Sequence, residues 1–171
     1  MVNTGAGRTD VGGSLLLYGD FFVRGTDDFF NPQAPGLDVL AGATIAVDRT
    51  SSRLVVSHAG SLRNAGTINV TQGGALKGER GPNIENLGEV EVQAGGTLRL
   101  EGNQDESFYN MASGTLRVSG LVSGSAQSRL FNHGTLIVAG GGSVTVPDIR
   151  HAAGQLTIES GATLATPGGG L

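Results

Sequence analysis

Residues whose types could do chemistry are few and dispersed. The chain has three histidines, His58, His133 and His151, and no cysteine, which excludes a thiol nucleophile, a disulfide framework and a thiolate metal site. No G-x-S-x-G elbow occurs, and each histidine falls at a turn of the repeat set out below, where it is expected to be solvated. The richest acidic stretch, 101–106, holds the candidate ligand residues Asn103, Asp105 and Glu106, and its Asn103 and Asp105 alternate with Ser107 in a way faintly like a calcium loop. It lacks the central glycine and closing bidentate glutamate of an EF-hand, so the expectation is a solvated insertion. That insertion is also the candidate ligand loop should the side of the molecule bind anything. Residues 5–9 have neither the preceding strand nor the spacing of a phosphate loop. No catalytic residue, metal site or cofactor is expected.

Composition narrows the class. Thirty glycines against five prolines, with 15% charged and 5% aromatic residues, depart far from ordinary globular usage. Glycine does not recur at every third position, which excludes collagen, and ordered alternation of Val, Leu and Ile argues against disorder. The net charge is −4 and the basic residues are scattered, so no footprint for nucleic acid is present. Nowhere do 18 apolar residues run together, as insertion into a membrane by a helix requires, and residues 1–10 lack the basic-then-apolar pattern of an export signal.

One motif organises the chain: an apolar residue, any residue, Asn, then a glycine and two apolar residues two apart. It reads Leu62-Arg63-Asn64 with Gly66, Ile68 and Val70, then Ile84-Glu85-Asn86 with Gly88, Val90 and Val92. Phe108-Tyr109-Asn110 leads to Gly114, Leu116 and Val118; Leu130-Phe131-Asn132 leads to Gly134, Leu136 and Val138. A fifth copy, Ile149-Arg150-His151 with Gly154, Leu156 and Ile158, puts histidine where the others have asparagine. Ala112 and Ser113 are extra residues that lengthen one step. A second half-motif follows each copy, a glycine turn and another alternating pair, as in Gly73-Gly74 to Leu76 and Gly95-Gly96 to Leu98, and it appears early at Gly12-Gly13 and at Gly42-Ala43.

Alternation with period two predicts strands with one buried face, two or three per repeat, and almost no helix. A unit of roughly 20 to 22 residues cannot bury its apolar face alone, so the copies must stack, each strand pairing in parallel with its equivalent one coil on. The expected fold is all-β, a right-handed parallel β-helix, or β-solenoid, of about six or seven coils. Asn64, Asn86, Asn110 and Asn132 are expected to sit at turns, where Asn and the following glycine tolerate left-handed backbone, and to form a hydrogen-bonded ladder that His151 ends. The outward rows Thr67, Glu89, Thr115, Thr135, Gln155 and Asn69, Glu91, Arg117, Ile137, Thr157 gather no group of carboxylates, and Glu91 beside Arg117 predicts a surface ion pair.

Most of the phenylalanines lie between Tyr18 and Phe30, in a stretch of poor repeat register. Two roles fit Tyr18, Phe21, Phe22, Phe29 and Phe30: an aromatic-rich cap over the first coil, or an assembly contact. The organisation expected is a cap or docking segment with the first coil at 1–36, a solenoid at 37–166 and a flexible tail at 167–171.

Over residues 54–166 these coils resemble the passenger repeats of bacterial autotransporters and filamentous-haemagglutinin-type adhesins, and the same architecture occurs in phage tailspikes and fibres and in polysaccharide lyases. The resemblance implies a non-enzymatic structural or attachment protein displayed on a virion surface or outside a cell. A reading frame opening at Met1 favours a phage decoration or fibre-like component over an excised adhesin passenger; a lyase-like or polysaccharide-binding β-helix is the third expectation. Implied partners are copies of itself or a larger assembly and a cell-surface glycan or receptor.

Overall fold

The computed structural model describes residues 8–24, 36–58, 60–80, 83–101 and 106–168. The chain winds through three parallel sheets, each seven strands deep. Sheet A stacks β1 (Arg8–Val11), β4 (Gly36–Val39), β7 (Ser61–Asn64), β10 (Asn83–Asn86), β13 (Ser107–Asn110), β16 (Arg129–Asn132) and β19 (Asp148–His151). Sheet B stacks β2 (Ser14–Leu17), β5 (Thr44–Asp48), β8 (Thr67–Thr71), β11 (Glu89–Val92), β14 (Thr115–Val118), β17 (Thr135–Val138) and β20 (Gln155–Ile158). Sheet C stacks β3 (Asp20–Arg24), β6 (Arg53–Ser57), β9 (Ala75–Glu79), β12 (Thr97–Glu101), β15 (Leu121–Gly124), β18 (Ser143–Thr145) and β21 (Thr163–Ala165). Each coil thus contributes one strand to every sheet, and no helix occurs among the described residues.

Strand alternation places one side chain in two inside the coil. In sheet B, Ile45, Ile68, Val90, Leu116 and Leu136 are vertical neighbours in strict register, all at 0 or 1% exposure. Alone, a coil of about twenty residues would leave both flanks of its inward side chains and the ladder groups of its strands open to water. A single coil therefore does not stand alone; hydrogen bonds and packing on both of its faces are required, which is why the repeats stack.

The glycine that follows each asparagine has a different cause from the expected one. Gly66, Gly88, Gly114 and Gly134 are absent from the positive-φ glycines. A Cβ added to Gly88 would lie 2.2 Å from the Gly66 carbonyl oxygen, and one on Gly66 would lie 2.3 Å from that of Ala43. Close approach to the coil before, and not backbone handedness, excludes a side chain there. Positive φ belongs instead to the first glycine of the other turn, as at Gly95 (φ 81) and Gly141 (φ 81), and to Gly154 (φ 83) in the last copy of the motif. The asparagines themselves are strand residues; among described non-glycine residues only His58, Gln72 and Arg80 have positive φ.

The first coil is more regular than its sequence suggests. Residues 8–24 supply β1, β2 and β3 in the register of the coils that follow, and Phe21 points into the core at 9% exposure. Of the residues expected in an aromatic cap, the described ones divide: Phe21 is core, while Tyr18 is exposed and Phe22 half-buried. The described strands run from β1 to β21.

Candidate functional site

Two features stand out on this scaffold, one inside and one outside. Inside, the last residue of each sheet A strand points into the core. Asn64, Asn86, Asn110 and Asn132 are fully buried. Asn64 Nδ2 donates to Asn86 Oδ1 (2.9 Å), Asn86 Nδ2 to Asn110 Oδ1 (2.9 Å) and Asn110 Nδ2 to Asn132 Oδ1 (2.7 Å). The second amide proton of each is taken by a main-chain carbonyl of sheet B: Glu89 O at 2.8 Å, Thr115 O at 2.9 Å and Thr135 O at 2.9 Å. Asn132 Nδ2 lies 2.9 Å from His151 Nδ1, so an imidazole stands at the lower end of the row. At the upper end Asn64 Oδ1 is buried without a described partner, because the equivalent residue one coil earlier is Val39. The row satisfies buried amides in an apolar column and ties sheet A to sheet B at one corner.

Outside, the middle residue of the motif forms a single column on sheet A. Asp38, Arg63, Glu85, Tyr109, Phe131 and Arg150 are successive register partners. Its upper part lines a shallow groove of about 520 Å³ with Ser61 and Asn83. Its lower part is aromatic: the Tyr109 and Phe131 rings stack at 4.8 Å with planes 4° apart, and the Arg150 guanidinium lies 5.5 Å from the Phe131 centroid. Hydrogen bonding to Asp148, and then that carboxylate's charge, raises the Arg150 pKa above its ordinary value. The other faces carry coil-to-coil staples, among them Thr71 Oγ1 to Asp48 Oδ1 (2.8 Å) and Lys77 to Glu101 (3.2 Å).

The chain matches no family model, no curated protein and no solved structure. What the site does is therefore argued from its geometry.

The residues singled out by type are dispersed over the rod. Tyr18 is 64% exposed with the Arg49 guanidinium 4.9 Å from its ring centroid. Phe22 is half-buried on the outer side of β3, whereas Phe21 is core; Phe29 and Phe30 lie outside the described residues. Asn103 and Asp105 also lie outside them, and Glu106, expected in a solvated loop, is fully buried. Glu91 and Arg117 are register partners, but the guanidinium reaches Glu159 (3.8 Å) while Glu91 accepts from Gln93 (2.7 Å). Of the histidines, His133 and His151 are exposed and His58 is half-buried, with Arg24 and Arg80 near its Nε2 (3.5 and 3.3 Å). Among the described residues, no three His, Asp or Glu side chains come together in a way that could hold a metal ion.

Sequence reasoning passed over the outer column. Its signal was present as the unconstrained middle position of the motif, which reads Arg, Glu, Tyr, Phe, Arg through the five copies.

Proposed function

We propose that this chain is a non-enzymatic structural and attachment rod of an exterior surface, a virion decoration or fibre-like component, that presents the outer face of sheet A to a glycan or receptor. The observation that carries the reading is the column itself: a polar groove with Asp38, Arg63 and Glu85 running in register into a stacked aromatic pair closed by an arginine. Carboxylate, guanidinium and amide groups offer hydrogen bonds to hydroxyls, and aromatic edges offer apolar contact, all held on one rigid sheet. The likeness of the coils to adhesin passenger repeats favours a second setting, a secreted bacterial adhesin, and gene neighbours distinguish the two.

The test is a glycan array probed with the whole chain, alongside the Tyr109→Ala/Phe131→Ala double variant. Retention of wild type on a defined set of glycans, with at least a tenfold loss in the variant at unchanged circular dichroism, is expected. Steady release of unsaturated sugars from an acidic polysaccharide with calcium would replace the attachment reading with a lyase.

A further inference from the structure

The two ends of the rod are the places where the repeat stops without its chemistry stopping. Below the last coil, β19, β20 and β21 are the edge strands of their sheets. The inward Ile149 of β19 is covered at 1%, but those of β20 and β21 are not: Ile158 is 50% exposed and Leu156 and Leu164 are half-buried, where equivalents in inner coils such as Val138, Leu136 and Val144 are at 0 or 1%. Above the first coil, β1, β2 and β3 are the opposite edges. There the core residues Leu17 and Phe21 are nearly covered at 6 and 9%, while Val11 and Leu15 remain half-buried.

Glycine supplies the second observation. The residue before each sheet B strand is Gly66, Gly88, Gly114, Gly134 or Gly154 in the later coils, and in each a Cβ would come within 2.0–2.3 Å of a carbonyl oxygen of the coil before. The residue before sheet C strands behaves alike at Gly74, Gly96, Gly120 and Gly142, at 2.1–2.3 Å. In the first coil these two positions are Gly13 and Gly19, both exposed, and a Cβ at either meets nothing within 4 Å. Glycine is kept where close approach would demand it, on a face where no described residue approaches. The second coil places Ala43 and Ser52 at these positions over the first coil, so that seat accommodates a small side chain and a large one is what would block it.

Register supplies the third. Continuing the coil-to-coil register by one step, from β19 of one copy to β1 of the next, sets Arg150 against Asp10, opposite charges at an outward position. The same step sets Leu156 on Leu15 and Ile158 on Leu17 in sheet B, and Leu164 on Phe21 in sheet C. Three parallel edge strands, apolar positions that face one another in sheets B and C, and a complementary charge pair in sheet A belong to one surface.

We infer that the chain assembles head to tail, the last coil of one copy seating on the first coil of a second, so that the solenoid continues across the junction. The inference rests on the reading of the chain as a structural rod and names its partner. A heterologous contact of this kind that does not close on itself propagates into a filament, and seven strands at about 4.8 Å set its axial repeat near 34 Å.

The experiment is sedimentation velocity of the full chain over a hundredfold concentration range, with negative-stain electron microscopy of the top sample. Species rising in steps of 17.3 kDa and filaments with that repeat are expected. The Gly13→Arg/Gly19→Arg variant, whose new side chains have open space in the single chain, should keep the wild-type melting temperature and lose every species above the monomer. If that variant fails to fold, a charge pair decides instead: Arg150→Asp should weaken assembly at least tenfold and adding Asp10→Arg should restore it. A wild type that is monomeric throughout, a closed two-copy species indifferent to Gly13 and Gly19, or a charge reversal without rescue would each overturn the inference. None of these results bears on glycan retention or sugar release, so the stacking and the attachment reading fail separately.

Discussion

The asparagine row shows how much a single buried amide can carry. Asn110 accepts from Asn86 and donates to both Asn132 Oδ1 and the Thr135 carbonyl, so Asn110→Ala removes three hydrogen bonds and strands polar atoms in an apolar column. At about 1–3 kcal/mol for each of the groups left unsatisfied, the expected loss is about 3–9 kcal/mol, read from the shift of the urea midpoint at constant slope. Asn64 is the informative contrast, because its Oδ1 already lacks a described partner and only its two donations would be lost. Asn64→Ala should therefore cost clearly less than Asn110→Ala. Val39→Asn runs the argument in reverse: residue 39 is the register partner of Asn64, and a new amide there can donate to the orphaned oxygen. A gain, or a loss under about 1 kcal/mol, is expected where an unpartnered amide in a core would cost about 1–3; a larger loss would show that the row cannot be extended upward.

At the scale of the turns, two kinds of glycine should respond differently to the same change. Gly88→Ala drives a Cβ to 2.2 Å from a backbone oxygen of the neighbouring coil, which only separation of the coils can relieve. Gly95→Ala meets nothing closer than 3.7 Å and is disfavoured only by its φ of +81°, a strain of about 1 kcal/mol. Thermal unfolding should rank Gly88→Ala well below Gly95→Ala; equal effects would mean that coil spacing adjusts. Parallel strand pairing, two or three strands per repeat and a ladder of asparagines were legible in the sequence, because period-two alternation and a recurring Asn leave few other arrangements; that the asparagines end strands and point inward, and do not sit at turns, was not. The reason for the glycines was not, since a carbonyl two tenths of a nanometre away from a missing Cβ belongs to a residue some twenty positions earlier. The regular first coil was hidden for a related reason: Phe21 and Phe22 read as a surface cluster, yet successive strand residues face opposite sides, so one became core and the other did not.

Across the whole molecule, stability is a sum of coil-on-coil contacts, and every inner coil has two neighbours where each end coil has one. The end coils are also unlike each other: inward residues of the first described coil are largely covered, while those of the last, Leu156, Ile158 and Leu164, are open. Opening should therefore begin at β19, β20 and β21 and proceed upward. Native-state hydrogen exchange at low protein concentration is expected to give the fastest amides in those strands and the slowest in β8 to β14, where the asparagine row binds sheet A to sheet B. Raising the concentration should slow exchange in β19 to β21 and β1 to β3 together, because head-to-tail seating pairs both sets of edges at once. Protection of the last coil alone would point to a tail-to-tail contact, and a flat profile along the rod would contradict the nearest-neighbour account of its stability.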